Sequence, residues 1–272
     1  MINLLSNILY SIRPSACLGA GLLAIAAFQP ITEYFIAIII FTSVFSGSAC
    51  CFLVNDIADR DKDLLNKKNR PITTGKLSAH HSKISACIFG GLYFILSAYL
   101  GAFHLIIFGI TMFVFLVYPA LNNRYGLIAN QLVAFSVCLS LVYGVGTLNM
   151  NATLWHFIFS TYFIIIAREI MLDGLDVKGD RIIGKPSIPI RYGELKTAWF
   201  VGIGYFLGSI PILLLILPST SKGISIILIL SLTALWVPFI YSLTNRKLNW
   251  MLYNVRSSHL FFGLIIAALF IR

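Results

Sequence analysis

Eight of the ten acidic residues fall in two short stretches, 55-NDIADRDKD-63 and 168-REIMLDGLDVKGD-180. In the first, Asp56, Asp59 and Asp63 stand three and four residues apart; Asp173, Asp176 and Asp180 repeat that spacing 117 residues later. On a helix turning about 100° per residue, such positions share about 60° of arc, so each stretch predicts one face bearing three carboxylates, with Asp61 pointing elsewhere. Like charges about 5 Å apart repel by on the order of 3 kcal/mol at an effective dielectric of 20, so each triad requires a cation. Short carboxylates are hard oxygen ligands suited to Mg²⁺, which is commonly held by one or two carboxylates together with phosphate oxygens. Basic residues flank both stretches: Arg60, Lys62, Lys67, Lys68 and Arg70 follow the first, and Arg168, Arg181 and Lys185 surround the second. Metal and basic side chains together favour departure of a diphosphate, leaving an electrophilic allylic carbon. Solvated loops that merely balance nearby Lys and Arg are the ordinary explanation for one acidic run; the same spacing occurring twice argues against it.

The elements that must position these residues are membrane helices. Apolar residues make up 58% of the 272 residues and charged ones 11%, with mean hydropathy +0.89, which excludes a water-soluble globule of this length. Windows near the roughly 20 apolar residues a span requires fall at 14–29, 35–54, 84–103, 105–121, 127–147, 154–172, 197–217, 223–243 and 257–271, with a tight hairpin expected around residues 101–104. The prediction is an all-α polytopic membrane protein of nine helices forming a single domain over 1–272, with acidic loops near 55–83 and 168–196. With the N-terminus inside, 18 of the 20 Lys and Arg lie on one side and only Lys222 and Arg272 opposite. This predicts cytoplasmic acidic loops and an external C-terminus. The net charge of +10 then faces anionic lipid or an anionic substrate, and no motif points to nucleic acid.

These stretches resemble a known family. Residues 55-NDIADRDKD-63 are similar to the NDxxDxxxD motif of UbiA-type intramembrane prenyltransferases, and 176-DVKGD-180 to their DxxxD motif; 69-NRPITTGKLS-78 and 168-RE, 179-GD and 188-IP occupy familiar places. The resemblance implies a helical fold with a central cavity and Mg²⁺ bridging two aspartate motifs to an isoprenyl diphosphate. Lipid-soluble substrates would enter from the side. It further implies that Asp56, Asp59, Asp63, Asp176 and Asp180 carry the chemistry and the metal, assisted by Asp173. Asn55, Arg13, Arg70, Lys185 and Arg124 are the expected diphosphate contacts. For Arg13, interfacial anchoring is the alternative. Asn123 stands where the family often carries a lysine, with Arg124 beside it.

The expected activity is prenyl transfer to a lipophilic acceptor, with an aromatic or quinone-precursor ring preferred and a glycerol-phosphate lipid as the alternative. A terpene cyclase would use the same ionisation without an acceptor. A transporter or channel fits poorly, because the acids cluster at one membrane face instead of lining a path to the midplane. The five cysteines lack metal-type spacing and read as packing residues, as does the Gly204/Gly208 pair. The isolated histidines suggest capping or interfacial roles, and the sequon at Asn151 carries little weight.

Overall fold

The computed structural model describes residues 2–28, 33–66, 68–216, 221–244 and 250–271, and the side chains of Ile2, Asn123, Ile216 and Ile271 are also outside the description. Lys67, Arg246, Lys247 and Arg272, and the side chain of Asn123, therefore lie outside the described residues. Among the described residues twelve helical elements follow in order: α1 Ile2–Ser11, α2 Pro14–Ala27, α3 Tyr34–Ala58, α4 Arg60–Leu65, α5 Ala79–Leu100, α6 Ala102–Arg124, α7 Gly126–Val145, α8 Ala152–Leu175, α9 Val177–Ile183, α10 Ile188–Ile216, α11 Lys222–Thr244 and α12 Trp250–Ile271. Of these, α10 is interrupted by a break at Gly193, with φ 76° and ψ 177°, so that only its longer part is continuous helix. No strand occurs among the described residues, and the all-α expectation holds.

Seven of these helices, α3, α5, α6, α7, α10, α11 and α12, are long and apolar enough to cross a membrane. The pair α1 and α2, bent by 53°, makes an eighth candidate among the described residues. Nine windows were expected, and α8 is the difference: its 24 residues would reach about 36 Å, yet Arg168, Glu169 and Asp173 in its last turns dilute its apolar content. The outward faces carry side chains such as Leu116, Tyr34, Leu195 and Trp199, each at least 70% exposed, as lipid-facing surfaces do. The junction at 101–104 is the tight hairpin anticipated: Gly101 alone links α5 to α6 with φ +112°, and the Tyr93 and Phe108 rings meet across it edge to face at 5.0 Å.

Local chemistry sets the helix ends. Pro14 opens α2 at a position where its missing N–H costs nothing. Ser78 caps α5 by accepting from the His81 N–H and also meets His81 Nδ1 at 2.7 Å, and Asn151 caps α8 by accepting from the Leu154 N–H at 3.0 Å, which gives Asn151 and His81 structural roles at helix ends. The five cysteines are free; Cys17, Cys50 and Cys138 are buried packing residues, whereas Cys87 is exposed on α5.

Backbone contacts divide the chain into two compact units, Met1–Leu121 with Leu139–Leu148, and Asn122–Cys138 with Asn149–Arg272. In the first, Ala24, Ile40, Val44, Tyr93, Ile107, Leu139 and Tyr143 form a buried cluster, and the Tyr143 hydroxyl satisfies itself on Ser97 at 2.9 Å. In the second, Tyr205, Trp236, Phe239 and Trp250 stack edge to face, with the Trp236 indole N–H donating to Ser209.

Close approach of α8 and α10 in the second unit rests on the small residues singled out in the sequence. A Cβ at Gly204 would stand 2.9 Å from Ala167 Cβ, and one at Gly208 would stand 2.7 Å from Ile164 Cδ1. Gly204→Val is therefore expected to destabilise the folded protein by about 1–3 kcal/mol through overpacking. Gly263→Ala on α12, where nothing lies within 4 Å, should cost nothing. Unfolding of the two variants in detergent, compared with the parent, checks this; equal stability of both would contradict the packing.

Candidate active site

The first acidic motif occupies the end of α3. Asp56 sits in its last turn, and the helix breaks at Asp59, whose φ and ψ of −89° and 5° start the short α4. Asp63 on α4 is buried at 1% exposure and Asp56 at 2%, so neither carboxylate can be left without a counter-charge. Arg13 supplies one: its Nη2 donates to Asp56 Oδ1 at 2.6 Å. Arg70 supplies more, donating from Nη1 to the same Asp56 oxygen at 2.7 Å and placing Nε 2.7 Å from Asp63 Oδ2. Lys68 Nζ lies 3.2 Å from Asp63 Oδ1.

Two backbone devices hold these bases. Arg13 lies at the bend between α1 and α2 with φ +52°, the single non-glycine residue of positive φ among those described. Residues preceding proline are pushed away from right-handed helix, and the left-handed region costs a side-chain-bearing residue about 1–2 kcal/mol. The guanidinium is thereby delivered to Asp56, with Phe52 below it at 4.4 Å. Arg70 is fixed by the turns of 69-NRPITTGKLS-78: its N–H donates to Thr73 Oγ1, its carbonyl accepts from the Thr74 N–H, and Leu77 N–H closes onto Pro71.

The second motif repeats this construction with the same 117-residue offset. The helix α8 breaks at Asp176, with φ and ψ of −99° and 4°, into the short α9. Lys68 N–H bonds to the Asp63 carbonyl at 2.9 Å and Lys185 N–H to the Asp180 carbonyl at 2.9 Å; Arg70 N–H reaches the Lys68 carbonyl and Ser187 N–H the Lys185 carbonyl, both at 3.0 Å. Thr74 to Arg70 and Arg191 to Ser187 continue the correspondence. The side chains follow in part. Lys185, 3% exposed, places Nζ 2.6 Å from Asp173 Oδ1 and 3.6 Å from Asp180 Oδ2. Asn130 on α7 donates to Asp173 Oδ2 at 2.9 Å.

The structure thus brings Arg13, Arg70, Asp56 and Asp63 together in one unit, and Asp173, Asp180 and Lys185 in the other. Asp59 and Asp176 stand half-buried at the two helix breaks. Arg124 is exposed at the end of α6 and Arg181 is exposed on α9. Asn130 was not anticipated; a lone asparagine 43 residues from its partner leaves no local signal. Among the described residues, no three His, Cys, Asp or Glu side chains gather as a metal-binding trio. The donor chemistry nevertheless fits a hard divalent cation completed by phosphate oxygens: Asp56 Oδ2 and Asn55 Oδ1 are buried acceptors that meet no donor among the described residues, and one or two carboxylates suffice for Mg²⁺ in such sites. Asn130→Ala should leave Asp173 short of a donor in a buried setting and cost about 1–3 kcal/mol, read from unfolding in detergent; no loss would mean that Lys185 alone satisfies the carboxylate.

The UbiA prenyltransferase family pattern matches residues 14–266. The chain is similar to the digeranylgeranylglyceryl phosphate synthase of Methanococcus aeolicus, with 35% identity over 161 residues, 58% of this chain and 55% of that protein. It therefore spans little more than half of that relative. With the enzyme of the same name from Sulfolobus acidocaldarius it shares 27% identity over 240 residues, 84% of this chain and 80% of that protein. A solved structure of an Archaeoglobus fulgidus UbiA homologue bound to GPP and Mg²⁺ shares the fold, with TM-score 0.70 and 19% identity, covering 97% of this chain and 99% of that one. A family pattern that begins one residue after Arg13 and takes in both aspartate motifs, over a fold shared along almost the whole chain, assigns this multi-pass membrane enzyme to the UbiA prenyltransferase family.

Proposed function

We propose that the chain transfers the prenyl group of an isoprenyl diphosphate to the hydroxyl of a glyceryl phosphate lipid, releasing diphosphate. The observation that carries this reading is the pair of buried aspartate motifs, each held in ion-pair contact with basic side chains. The names of the relatives support the acceptor: both similar curated enzymes are digeranylgeranylglyceryl phosphate synthases. This moves the glycerol-phosphate lipid ahead of the aromatic or quinone-precursor ring preferred on sequence alone. The donor class and the metal are supported by the family structure that holds GPP and Mg²⁺.

On this reading Asp56, Asp59 and Asp63 hold Mg²⁺ at the first motif and Asp176 and Asp180 hold Mg²⁺ at the second, and the bound metal anchors diphosphate. Bound Mg²⁺ supplies Lewis-acid stabilisation of charge growing on the leaving oxygen. Arg13, Arg70 and Lys185 neutralise the phosphate oxygens as charge-assisted donors, while Asn55 offers an oxygen beside the first motif. The C1–O bond to diphosphate breaks with its electron pair on the leaving diphosphate, the acceptor oxygen bonds to C1, and the proton of that oxygen passes to the released diphosphate. Asp173, whose two oxygens accept from Asn130 and Lys185, assists at the second motif and holds Lys185 in position until a cation arrives. Turnover on this reading needs both motifs, and residues 1–272 are read as a single prenyltransferase domain. The 18-to-2 distribution of basic residues favours a cytoplasmic site and an external C-terminus.

Asp56→Ala and Asp176→Ala should each lower turnover of prenyl diphosphate by on the order of 100-fold or more, the scale of losing an electrostatic element aimed at a leaving group. Chelation with EDTA should abolish turnover and added Mg²⁺ should restore it. Measured with radiolabelled donor and a panel of glyceryl phosphate and aromatic acceptors, full turnover in both variants sinks the reading. Product formed only with aromatic acceptors sinks the choice of acceptor.

A further inference from the structure

In each unit one basic side chain spans the first and third aspartates of the motif. Arg70 does so between Asp56 and Asp63, and Lys185 between Asp173 and Asp180. The two bridging residues are not counterparts under the 117-residue offset: Arg70 corresponds to Ser187, and Lys185 to Lys68. Different side chains reaching from different backbone positions arrive at equivalent places. What the structure maintains is therefore a positive charge between two buried carboxylates, whichever residue provides it.

We infer that Arg70 and Lys185 are exchangeable placeholders for a divalent cation, an inference that rests on the function proposed above. Arg70 bridges Asp56 and Asp63 with Arg13 already on Asp56 and Lys68 already on Asp63, so a divalent cation added to all three bases would meet strong repulsion, and the bridging Arg70 occupies the oxygens that cation would share. Asp56 keeps a second oxygen, Oδ2, buried and without a donor among the described residues, which gives an incoming cation its first ligand. As the cation enters, the guanidinium must leave its carboxylates, and it needs a new anion because it is only 22% exposed. Diphosphate is that anion, and planar guanidinium matches its oxygens in pairs. Metal and diphosphate therefore bind cooperatively, each making room or partners for the other, and neither binds well alone. In this way the carboxylates stay neutralised at every stage.

The test is Mn²⁺ binding to the purified full-length protein in detergent, followed by electron paramagnetic resonance, with and without inorganic pyrophosphate and against protein-free blanks. For the parent, pyrophosphate should tighten Mn²⁺ binding roughly 5- to 150-fold, the usual span of coupling between sites. Arg70→Ala removes the bridging competitor while Arg13 and Lys68 stay, so Mn²⁺ alone should bind on the order of 10-fold tighter, a loss of competition worth part of that coupling, and the effect of pyrophosphate should shrink. Arg70→Lys keeps the charge but not the fork, so it should move in the same direction by less; it also answers the question if the alanine variant fails to fold. Unchanged or weaker Mn²⁺ binding in these variants, with Asp56→Asn still abolishing it, overturns the exchange alone. Parent-like Mn²⁺ binding in Asp56→Asn instead overturns the metal-dependent function on which it rests.

Discussion

A carboxylate buried beside lipid has to be neutralised, and much of this chain is arranged around that requirement. Asp56, Asp63, Asp173 and Asp180 are all at most 6% exposed, at depths where a bare charge is not tolerated. Their partners come from far along the sequence: Arg13 from the first bend, Arg70 from the loop after α4, Lys185 from the loop after α9 and Asn130 from α7. Folding each unit means assembling these partners as much as packing its apolar helices.

The backbone meets the requirement by breaking helices at fixed places. In both units a long helix ends at an aspartate of nearly the same torsion angles, a short helix follows, and an N–H from a lysine closes back on the carbonyl of the last aspartate. The break turns the third carboxylate toward the first while the following loop returns a base to both. Regular helix would have carried the chain, and its charges, onward along the axis. The repetition of five backbone hydrogen bonds under one offset shows that the unit of design is the helix–break–helix–loop segment, not the aspartate triplet by itself.

Hydropathy made the spans readable, because about 20 apolar residues in succession have few alternatives to crossing a bilayer. It failed where residues are mixed: α1, α4 and α9 are short, carry polar side chains and offer no apolar window, and α8 was readable as a helix but falls short as a typical span because its end belongs to the site. The aspartate spacing identified both motifs, since three and four residues on a helix mean one face. It could not foretell which base would meet which acid. Arg13 and Asp56 are 43 residues apart, as are Asn130 and Asp173; neither pair leaves a local trace, and only the 117-residue offset that relates Arg13 to Asn130 could have pointed to the second. Arg124, beside the position where a family lysine was expected, is exposed, and the lysine ion pairs described are those of Lys185 and Lys68.

Arg13 joins backbone torsion to charge in one residue. A glycine there would relax the left-handed turn before Pro14 while removing the guanidinium from Asp56, so the local fold and the chemistry place opposing demands on the same position. Thermal robustness is consequently a poor guide at this position: an easier hinge is obtained only by giving up the counter-charge of a buried carboxylate, so a change that steadies one part of the molecule unsettles another.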